Sequence, residues 1–579
     1  MGDFLLWSRR AEDLSGERLA RAVCDVAERQ GFIARRLSPL VGMITWGPRP
    51  PKVSRIGPWT LFGDVFDRRR PVFPSIDDRD PRAYDAKMMA RIWGRYVGVL
   101  LDPSGAATAV LRDPSGAREA VYWTAHGLTF VASDVPDGLV TSVAPDWRIS
   151  NERLSAAIRN PLALSACLLL DGPVALLPGE MRDLVAEETI PLWSPADHVH
   201  RRDLTSLSTP DAADHLRAAV AEAVDGLASA AEGVGAEISG GLDSSIVAAA
   251  LHPRHKVRLW LNASGPGPAA DESAFVAALE KQLDIDVTRF NRRAAALDRD
   301  ALEAAPQRLR PSLAALDGDF DQEWAIRCSS AGVDALFTGK GGDGMLIQPA
   351  AARVFTDLWR LKGWRALCSR DLVRLARLNE RSVWTLVSEA IRWKQPLYPA
   401  SADLNLFTPS VSPSPHHPWL DDAAAWGPAK AVQVMSLLQG HGLHGPSRLT
   451  AAVDVFHPLL SQPVIEACLG LTTPQLTLGR RDRALARLAF RDRLPPEVLQ
   501  RRSKGELTAY FGRMIADGLP DLRPWLLDGR LAALGVIDRR SAEAALTRDA
   551  LIRCGDYPDI LLAAMFEGWA RAWDNRLQV

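Results

Sequence analysis

The feature that most constrains the fold of this 579-residue chain is the stretch Ser-Gly-Gly-Leu-Asp-Ser-Ser at residues 239–245. Residues 236–238 before it predict the end of a short strand, and the Ala- and Val-rich residues 246–251 after it predict the opening of a helix. A strand, a glycine pair and a helix N-terminus together form an anion site, because outward N–H groups and the helix dipole favour negative charge. Gly240 and Gly241 carry no Cβ and let the backbone approach a phosphate. The stretch therefore predicts a phosphate-binding turn.

The polar side chains of this turn refine the prediction. Ser239, Ser244 and Ser245 add hydroxyl donors to the backbone N–H groups. Asp243 would repel a phosphate unless a cation such as Mg²⁺ bridges the two. The turn therefore predicts a site for a metal-bound phosphate ester.

A second glycine-rich stretch follows another predicted strand about a hundred residues later. Residues 335–338 are apolar and strand-like, and residues 339–344 read Gly-Lys-Gly-Gly-Asp-Gly. Asp343 again places one carboxylate at a strand end. The chain contains no Walker A sequence, since Gly339-Lys340 is followed by Gly341 rather than Ser or Thr.

The order of elements around the two stretches predicts an α/β fold. Strand-like residues 257–261, helical residues 273–283 and strand-like residues 287–290 follow the first turn. This alternation favours a doubly wound parallel sheet with its ligand at the carboxyl ends of the strands. We assign residues 206–579 to this domain, with a helical insertion at about 350–450.

The two stretches resemble the pyrophosphate-binding loop of the asparagine synthetase-like ATP-pyrophosphatases and the Gly-x-Gly-x-Asp loop of asparagine and β-lactam synthetases. This resemblance implies that ATP is the nucleotide and that Asp243 and Asp343 hold Mg²⁺ on its pyrophosphate side. The implied nucleotide-binding residues are Ser239, Gly240, Gly241, Asp243, Ser244, Ser245, Gly339, Gly341 and Gly342.

Residues 1–205 predict a separate α+β domain. Two Asp-Pro-Ser-Gly turns separate β-like runs at residues 96–101, 109–111 and 120–123, which predicts an antiparallel meander. The residues of these runs and turns resemble the N-terminal-nucleophile (Ntn) glutaminase-like domain of asparagine synthetases. The residues that carry this resemblance are Gly98, Asp102, Arg112, Asp113, Gly116 and Tyr122.

The N-terminal domain departs from that family at its nucleophile. An active domain of this kind uses a Cys directly after the initiator Met, whereas this chain has Gly2 there. The first cysteine is Cys24, inside a predicted helix at residues 17–28. Glycine cannot supply a thiolate, so we expect no ammonia from glutamine and a degenerate domain with a scaffold or docking role.

The C-terminal part supplies four further candidate residues. Asp454 occupies the acidic position of a segment that resembles the family sequence Glu-x-Arg-x-Pro-Phe-Leu-Asp. Residues 501–506 resemble the segment in which family members place a catalytic lysine, and Lys504 is the matching residue. Arg483 and Arg487 lie four residues apart on one face of a predicted helix.

These residues predict an ATP-dependent ligase that releases AMP and pyrophosphate. A substrate carboxylate would attack the α-phosphorus of ATP to give an acyl-adenylate, and an amine would then form the amide. The predicted catalytic residues are Lys504, Asp243 and Asp343. Lys504 would stabilise charge that grows on the phosphates and on the tetrahedral intermediate.

The amine is expected to belong to the substrate, because Gly2 removes the glutamine route. The chain looks most like the lasso-peptide macrolactam cyclases, which are related to β-lactam synthetases. That resemblance implies an isopeptide bond between a peptide's N-terminal amine and an Asp or Glu side chain. It also implies a precursor peptide, a leader peptidase and a recognition element as partners. A β-lactam synthetase-like enzyme, an ammonia-dependent asparagine synthetase and a non-catalytic nucleotide or precursor-binding protein are the alternatives.

Composition limits the other classes of function. The formal net charge of −1 argues against a basic nucleic-acid-binding surface. The six cysteines are far apart and form no C-x-x-C pair, which favours reduced thiols. No signal peptide or bilayer-length apolar run is present, so we expect a cytoplasmic protein that binds no membrane.

Overall fold

The computed structural model describes residues 2–9, 14–68, 81–265, 271–348, 352–393, 406–408, 415–479, 481–501, 508–554 and 557–578. Its N-terminal part, up to residue 191, is rich in short strands. They are β1 (Asp3–Ser8), β2 (Ile33–Arg36), β3 (Val41–Trp46), β4 (Val53–Ile56), β5 (Trp59–Asp67), β6 (Ile92–Leu101), β7 (Ala107–Arg112), β8 (Val121–Ala125), β9 (Leu128–Ala132), β10 (Arg148–Ile149), β11 (Leu170–Asp171), β12 (Val174–Ala175), β13 (Glu180–Asp183) and β14 (Glu188–Pro191).

These strands form two antiparallel six-stranded sheets, with the orders β12-β8-β9-β1-β3-β2 and β14-β13-β7-β6-β5-β4, and a small β10-β11 pair. The sheets pack face to face. Successive side chains of a strand point to opposite faces, so Phe4 and Leu6 of β1 join the apolar cluster of the other sheet's Phe62. Leu5 belongs instead to the cluster that contains Val23 of the helix Leu14–Arg29. The N-terminal part is therefore α+β, and its glutaminase-like ancestry stays a prediction.

The predicted meander is correct for two of its three strands. β6 and β7 form a hairpin, but the third run begins β8, which pairs with β9 and β12 in the other sheet. The second Asp-Pro-Ser-Gly turn carries the chain from one sheet to the other. The Arg112 guanidinium holds this crossing by donating to the carbonyls of Gly116, Arg118 and Leu176 at 2.8–3.0 Å. Turn chemistry alone does not reveal a change of sheet.

The second half of the chain contains a five-stranded parallel sheet, which confirms the predicted α/β architecture. Its strands are β15 (Val234–Glu237), β16 (Val257–Ser264), β17 (Val287–Asn291), β18 (Ala335–Phe337) and β19 (Asp454–Phe456), in the order β17-β16-β15-β18-β19. The chain extends the sheet in one direction from β15 to β17 and in the other from β18 to β19. Ligands of open α/β sheets bind where the strand order reverses in this way, here between β15 and β18.

Helices surround and follow this sheet. Those of at least nine residues in this half are Thr209–Ser229, Leu242–Leu251, Ser273–Leu283, Gly318–Ser330, Ala352–Lys362, Arg370–Leu378, Val383–Arg392, Pro428–Gly440, Gln462–Gly470, Thr508–Leu527 and Tyr557–Gln578. Although Phe407 forms an isolated β-bridge with Ile537, the described residues of the predicted insertion at about 350–450 are mostly helical. Most of its proline-rich part, at 394–405 and 409–414, lies outside the described residues.

The two predicted domains share their apolar cores. One cluster joins Trp59 and Tyr96 of the N-terminal sheets to Leu216 and Val224 of the helix Thr209–Ser229. Another contains residues of the N-terminal part together with the C-terminal helix Tyr557–Gln578. Both clusters contain residues from before and after residue 205, so the two predicted domains share buried apolar packing. The boundary near residue 205 stays a prediction.

Candidate active site

The two glycine-rich loops lie side by side at one edge of the parallel sheet. The first follows β15 and opens the helix Leu242–Leu251, and the second follows β18 and opens the short helix Gly342–Met345. β15 and β18 are direct neighbours, with Ala236 opposite Phe337. Parallel pairing sends both chains out of the same edge, so the loops meet.

Glycine allows the two loops to touch. A Cβ on Gly339 would lie 2.6 Å from the carbonyl carbon of Asp243 and 2.7 Å from the Cα of Ser244. A Cβ on Gly342 would lie 2.5 Å from the Asp243 carboxyl carbon. Gly341 has φ +87°, in the left-handed region that side chains rarely adopt. These glycines therefore bring Asp243 against the second loop.

Replacing Gly339 with alanine is expected to separate the loops and weaken ATP binding by at least about tenfold. The added methyl meets backbone, which cannot rotate away, and overpacking of this kind costs about 1–3 kcal/mol. Nucleotide affinity measured by calorimetry would test this. The control is Gly442→Ala, because a Cβ there meets nothing within 4 Å. Equal affinities for both variants would contradict the role assigned to Gly339.

Asp243 and Asp343, one from each loop, converge on a single cation. The Arg483 Nη1 donates to Asp243 Oδ2 at 2.9 Å and to Asp343 Oδ1 at 2.7 Å. Arg483 has φ +47° and immediately precedes the helix Ala484–Ala489, so its side chain is aimed at the loops. Although burial opposes the charge, the two carboxylates raise the pKa of Arg483. The chain therefore gathers two negative charges at one point.

This pair of carboxylates fits the Mg²⁺ that the sequence predicts. Oxygen ligands suit Mg²⁺, which usually takes one or two carboxylates and completes its shell with water and phosphate oxygens. In the part of the chain that the structure describes, no group of three or more His, Cys, Asp or Glu side chains forms a metal site by itself. Asp243 and Asp343 would hold the ion together with the nucleotide.

The loops line a cavity of about 460 Å³. From the predicted set, Ser239, Gly241, Asp243, Ser244, Gly339, Gly341 and Asp343 line it, whereas Gly240, Ser245 and Gly342 do not. Ser245 is fully buried, and its hydroxyl donates to the Gly241 carbonyl at 2.8 Å. Ser245 therefore stabilises the turn from inside.

Cations that the sequence analysis did not assign to ATP also line this cavity: Lys340, Arg483, Arg487 and Arg501. Arg501 lies over the Phe275 ring and donates to the Gly240 carbonyl at 3.0 Å, which fixes the first loop. Arg487 donates to the Val498 and Leu499 carbonyls at the end of a nearby helix. The four-residue spacing of Arg483 and Arg487 indicated that their side chains lie close together, but it did not indicate which residues they contact.

Two other carboxyl groups, those of Glu237 and Asp482, also line the cavity. Burial raises the pKa of Glu237, at the end of β15. Asp482 pairs with Arg483 and Arg487, both at 3.1 Å, and so holds these arginines in place. The predicted catalytic Lys504 lies outside the described residues, as do all of residues 502–507; Arg501, which lines the cavity, precedes them directly.

A second cavity, of about 430 Å³, lies between the N-terminal sheets and the parallel-sheet half of the chain. Lys340 lines both this cavity and the cavity at the two glycine-rich loops, which is the candidate nucleotide cavity. The lining of the second cavity is largely apolar, with charged side chains from both halves, among them Asp3, Arg112, Arg118, Glu119, Arg308, Arg310 and Asp454. Although burial opposes ionisation, Arg112 and Arg310 lower the pKa of Glu119 to about 2.

The environment of Gly2 leaves no room for a side chain. Gly2 is buried, its N–H donates to the Arg49 carbonyl at 2.8 Å, and its own carbonyl accepts from Arg118 at 2.7 Å. A Cβ on Gly2 would lie 2.6 Å from the Arg49 carbonyl carbon and 2.7 Å from the Pro50 Cα. Backbone of residues 49–50 thus occupies the space that a nucleophilic cysteine would need.

Comparison with known families agrees with this site. The asparagine synthase family model matches residues 215–571, which is more than half of the chain and includes both glycine-rich loops. The chain belongs to the asparagine synthase family, whose members form amide bonds with ATP. A search of curated proteins found no match. Among the described residues, no helix has the length and apolar character needed to cross a bilayer.

Proposed function

We propose that this protein is a macrolactam synthetase, which joins a peptide's N-terminal amine to an Asp or Glu side chain of the same peptide. The observation that carries the proposal is the second cavity, because Lys340 lines both this cavity and the nucleotide cavity. A volume of about 430 Å³ lies within the range of ligand pockets, about 300–1,000 Å³, and can hold part of a peptide substrate. A substrate held there would present its carboxylate toward the α-phosphate of ATP.

The loop residues have distinct tasks in this proposal. Ser239, Ser244 and the backbone around Gly241 bind the β- and γ-phosphates, and Asp243 and Asp343 hold Mg²⁺. A bound Mg²⁺ would supply positive charge to stabilise the leaving pyrophosphate. Arg483, which donates to both carboxylates, holds them close together. Lys340, at the boundary of the two cavities, orients the attacking carboxylate.

The second step forms the amide. The substrate's own amine attacks the acyl-adenylate carbonyl, and AMP leaves while the amine loses a proton. Lys504 is proposed to stabilise the tetrahedral oxyanion and the departing phosphate. Holding amine and acyl group in one cavity makes this step intramolecular, which is worth many orders of magnitude in effective concentration.

The surroundings of Gly2 support a substrate amine rather than ammonia from glutamine. Gly2 occupies the position that carries the nucleophilic cysteine in active glutaminase domains. The backbone of residues 49–50 fills the space that a cysteine side chain would need there. The N-terminal half then serves as one wall of the substrate cavity. A leader peptidase and a recognition element are the proposed partners that deliver the precursor peptide, and the cytoplasm is its proposed location.

Pyrophosphate release from ATP tests the proposal. The substrates would be synthetic peptides with a free N-terminal amine and a single Asp or Glu at successive positions, compared with free aspartate plus ammonium. We expect one register of peptide to support turnover and to yield a product lighter by one water. The same peptide with an acetylated N-terminus is the matched control and should not cyclise. Turnover with aspartate and ammonium, and with no peptide, would show an ammonia-dependent asparagine synthetase instead.

A further inference from the structure

Exposed apolar side chains are concentrated on the helical insertion. Seven of the thirteen large apolar side chains that are exposed among the described residues fall between residues 361 and 391. The two tryptophans are the most exposed of the seven, at 71% for Trp364 and 79% for Trp384. These seven lie on four consecutive helical segments between residues 352 and 392 that pack against one another, and we call them, together with the cations of the same segments, the tryptophan–arginine surface. The seven are Leu361, Trp364, Leu367, Val373, Leu378, Trp384 and Ile391.

The same segment is strongly basic. Residues 352–393 contain nine Arg and Lys but four Asp and Glu, although the whole chain has a net charge of −1. All nine cations are exposed. Of the acids, Asp357 is buried, Asp371 pairs with Arg374 and Glu389 pairs with Arg381. Glu380 is the one fully exposed acid among them.

Other apolar side chains of these helices pack into the buried core, so the seven exposed ones are not part of that core. In the helix Arg370–Leu378, Leu372, Leu375 and Ala376 are buried. In the helix Val383–Arg392, Leu386, Val387 and Ala390 are buried. Exposed apolar residues that gather in one area mark an interaction site, whereas scattered single ones do not.

The geometry points to a docking surface for an acidic protein segment, in which apolar side chains of the partner contact Trp364 and Trp384 and its carboxylates face the surrounding arginines. Trp and Arg are the residues that dominate binding energy at protein interfaces. Charge complementarity names the partner's chemistry: of the nine exposed cations, two pair with Asp371 and Glu389, and the excess of the others over Glu380 attracts a segment rich in Asp and Glu. The inference does not depend on the proposed reaction.

Two other occupants fit the surface less well. A bilayer interface binds a helix through one continuous apolar face, whereas here each helix turns its main apolar face inward and exposes apolar side chains that alternate with cations. A nucleic acid would use the cations and tryptophans, but the five aliphatic anchors gain little from phosphates or stacked bases. A protein segment uses both kinds of side chain.

The surface shares one residue with the wall of the nucleotide cavity. Leu378 belongs to it and also lines the nucleotide cavity. A partner that docks on this surface would therefore lie next to the nucleotide cavity.

Fluorescence anisotropy with labelled synthetic peptides tests the inference. The probe is a 20-residue peptide that alternates Glu or Asp with Leu or Phe. One matched peptide replaces every acid with Lys, and another replaces every apolar residue with Ser. We expect the probe alone to bind the full-length protein, and added salt to weaken this binding. Trp364→Ser/Trp384→Ser and Arg365→Glu/Arg377→Glu should each weaken it at least tenfold.

Controls separate docking from loss of fold. Ile552→Ser replaces an exposed apolar side chain elsewhere, 82% exposed, and should bind the probe as the wild type does. Thermal melting would show that all variants are folded. The inference is overturned if the probe binds no better than either matched peptide or if the Trp and Arg variants bind it normally. It is also overturned if phosphatidylserine vesicles or a single-stranded oligonucleotide bind more tightly through the same residues.

Discussion

Replacing Asp243 with asparagine is expected to lower the rate of ATP-dependent pyrophosphate release by about a thousandfold or more. The change removes one of the two carboxylates that accept from the Arg483 Nη1, at 2.9 Å for Asp243 and 2.7 Å for Asp343. A metal ion supplies several kcal/mol of transition-state stabilisation, and about 1.4 kcal/mol corresponds to a factor of ten in rate. The rate would be measured with saturating substrate over a range of Mg²⁺ concentrations, and the variant should require more Mg²⁺.

The double variant provides the sharper test of a shared metal site. If Asp243 and Asp343 act through one ion, Asp243→Asn/Asp343→Asn should be little slower than the slower single variant, because residues that act as a unit are not additive. Losses that multiply would indicate two independent roles. If alanine at both positions leaves AMP formation unchanged, the metal site is wrong. Melting temperatures would control for the loss of the buried Arg483 contacts.

Replacing Asp454 with asparagine is expected to destabilise the protein by about 3 kcal/mol or more. Asp454 begins β19 and accepts from Arg95 of β6 at 2.9 and 3.0 Å, while Arg49 lies 3.2 Å away. Arg95 also pairs with Asp64 and lies over the Phe456 ring. Breaking a buried ion pair costs about 3–5 kcal/mol, and here the substitution leaves two cations, Arg95 and Arg49, to share the single carboxylate of Asp64. The shift of the urea midpoint would measure this loss.

The pH dependence of that loss has a definite sign. Although burial opposes ionisation, the Arg95 guanidinium holds the pKa of Asp454 well below its usual range. A lowered folded-state pKa stabilises the protein at any pH above the unfolded value, about 3.9, and this is lost as pH falls through the folded value. Wild type and variant should therefore differ fully at neutral pH and converge only in strong acid. The control, Asp171→Asn, breaks an exposed pair with Arg148 and should cost less than about 1 kcal/mol.

The placement of the two loops of the candidate site was predictable, because each loop and the strand before it are local in sequence. The helix at residues 273–283 has the predicted limits, Ser273–Leu283, and both glycine loops follow the strands expected of them. The glycines next to Asp243 and Asp343 predicted turns after strands, and the two turns follow β15 and β18. What they do in catalysis stays a prediction until the rates are measured.

The contacts that shape the site could not be predicted in the same way. Arg483 lies 140 residues from Asp343 along the chain and 240 from Asp243. Arg95 reaches Asp454 across 359 residues. Nothing in the residues near either arginine indicates these partners, because the fold rather than the local sequence brings them together.

The residue order alone predicts two strand ends that each offer glycines and a carboxylate, and it shows that Gly2 cannot act as a thiol nucleophile. These conclusions need only the chemistry of neighbouring residues. Only the folded chain reveals that β15 and β18 are neighbours, that Arg483 lies between the two aspartates, and that a cavity of about 430 Å³ adjoins Lys340. Those facts depend on strand order and on packing between distant segments, which follow from burial over the whole chain.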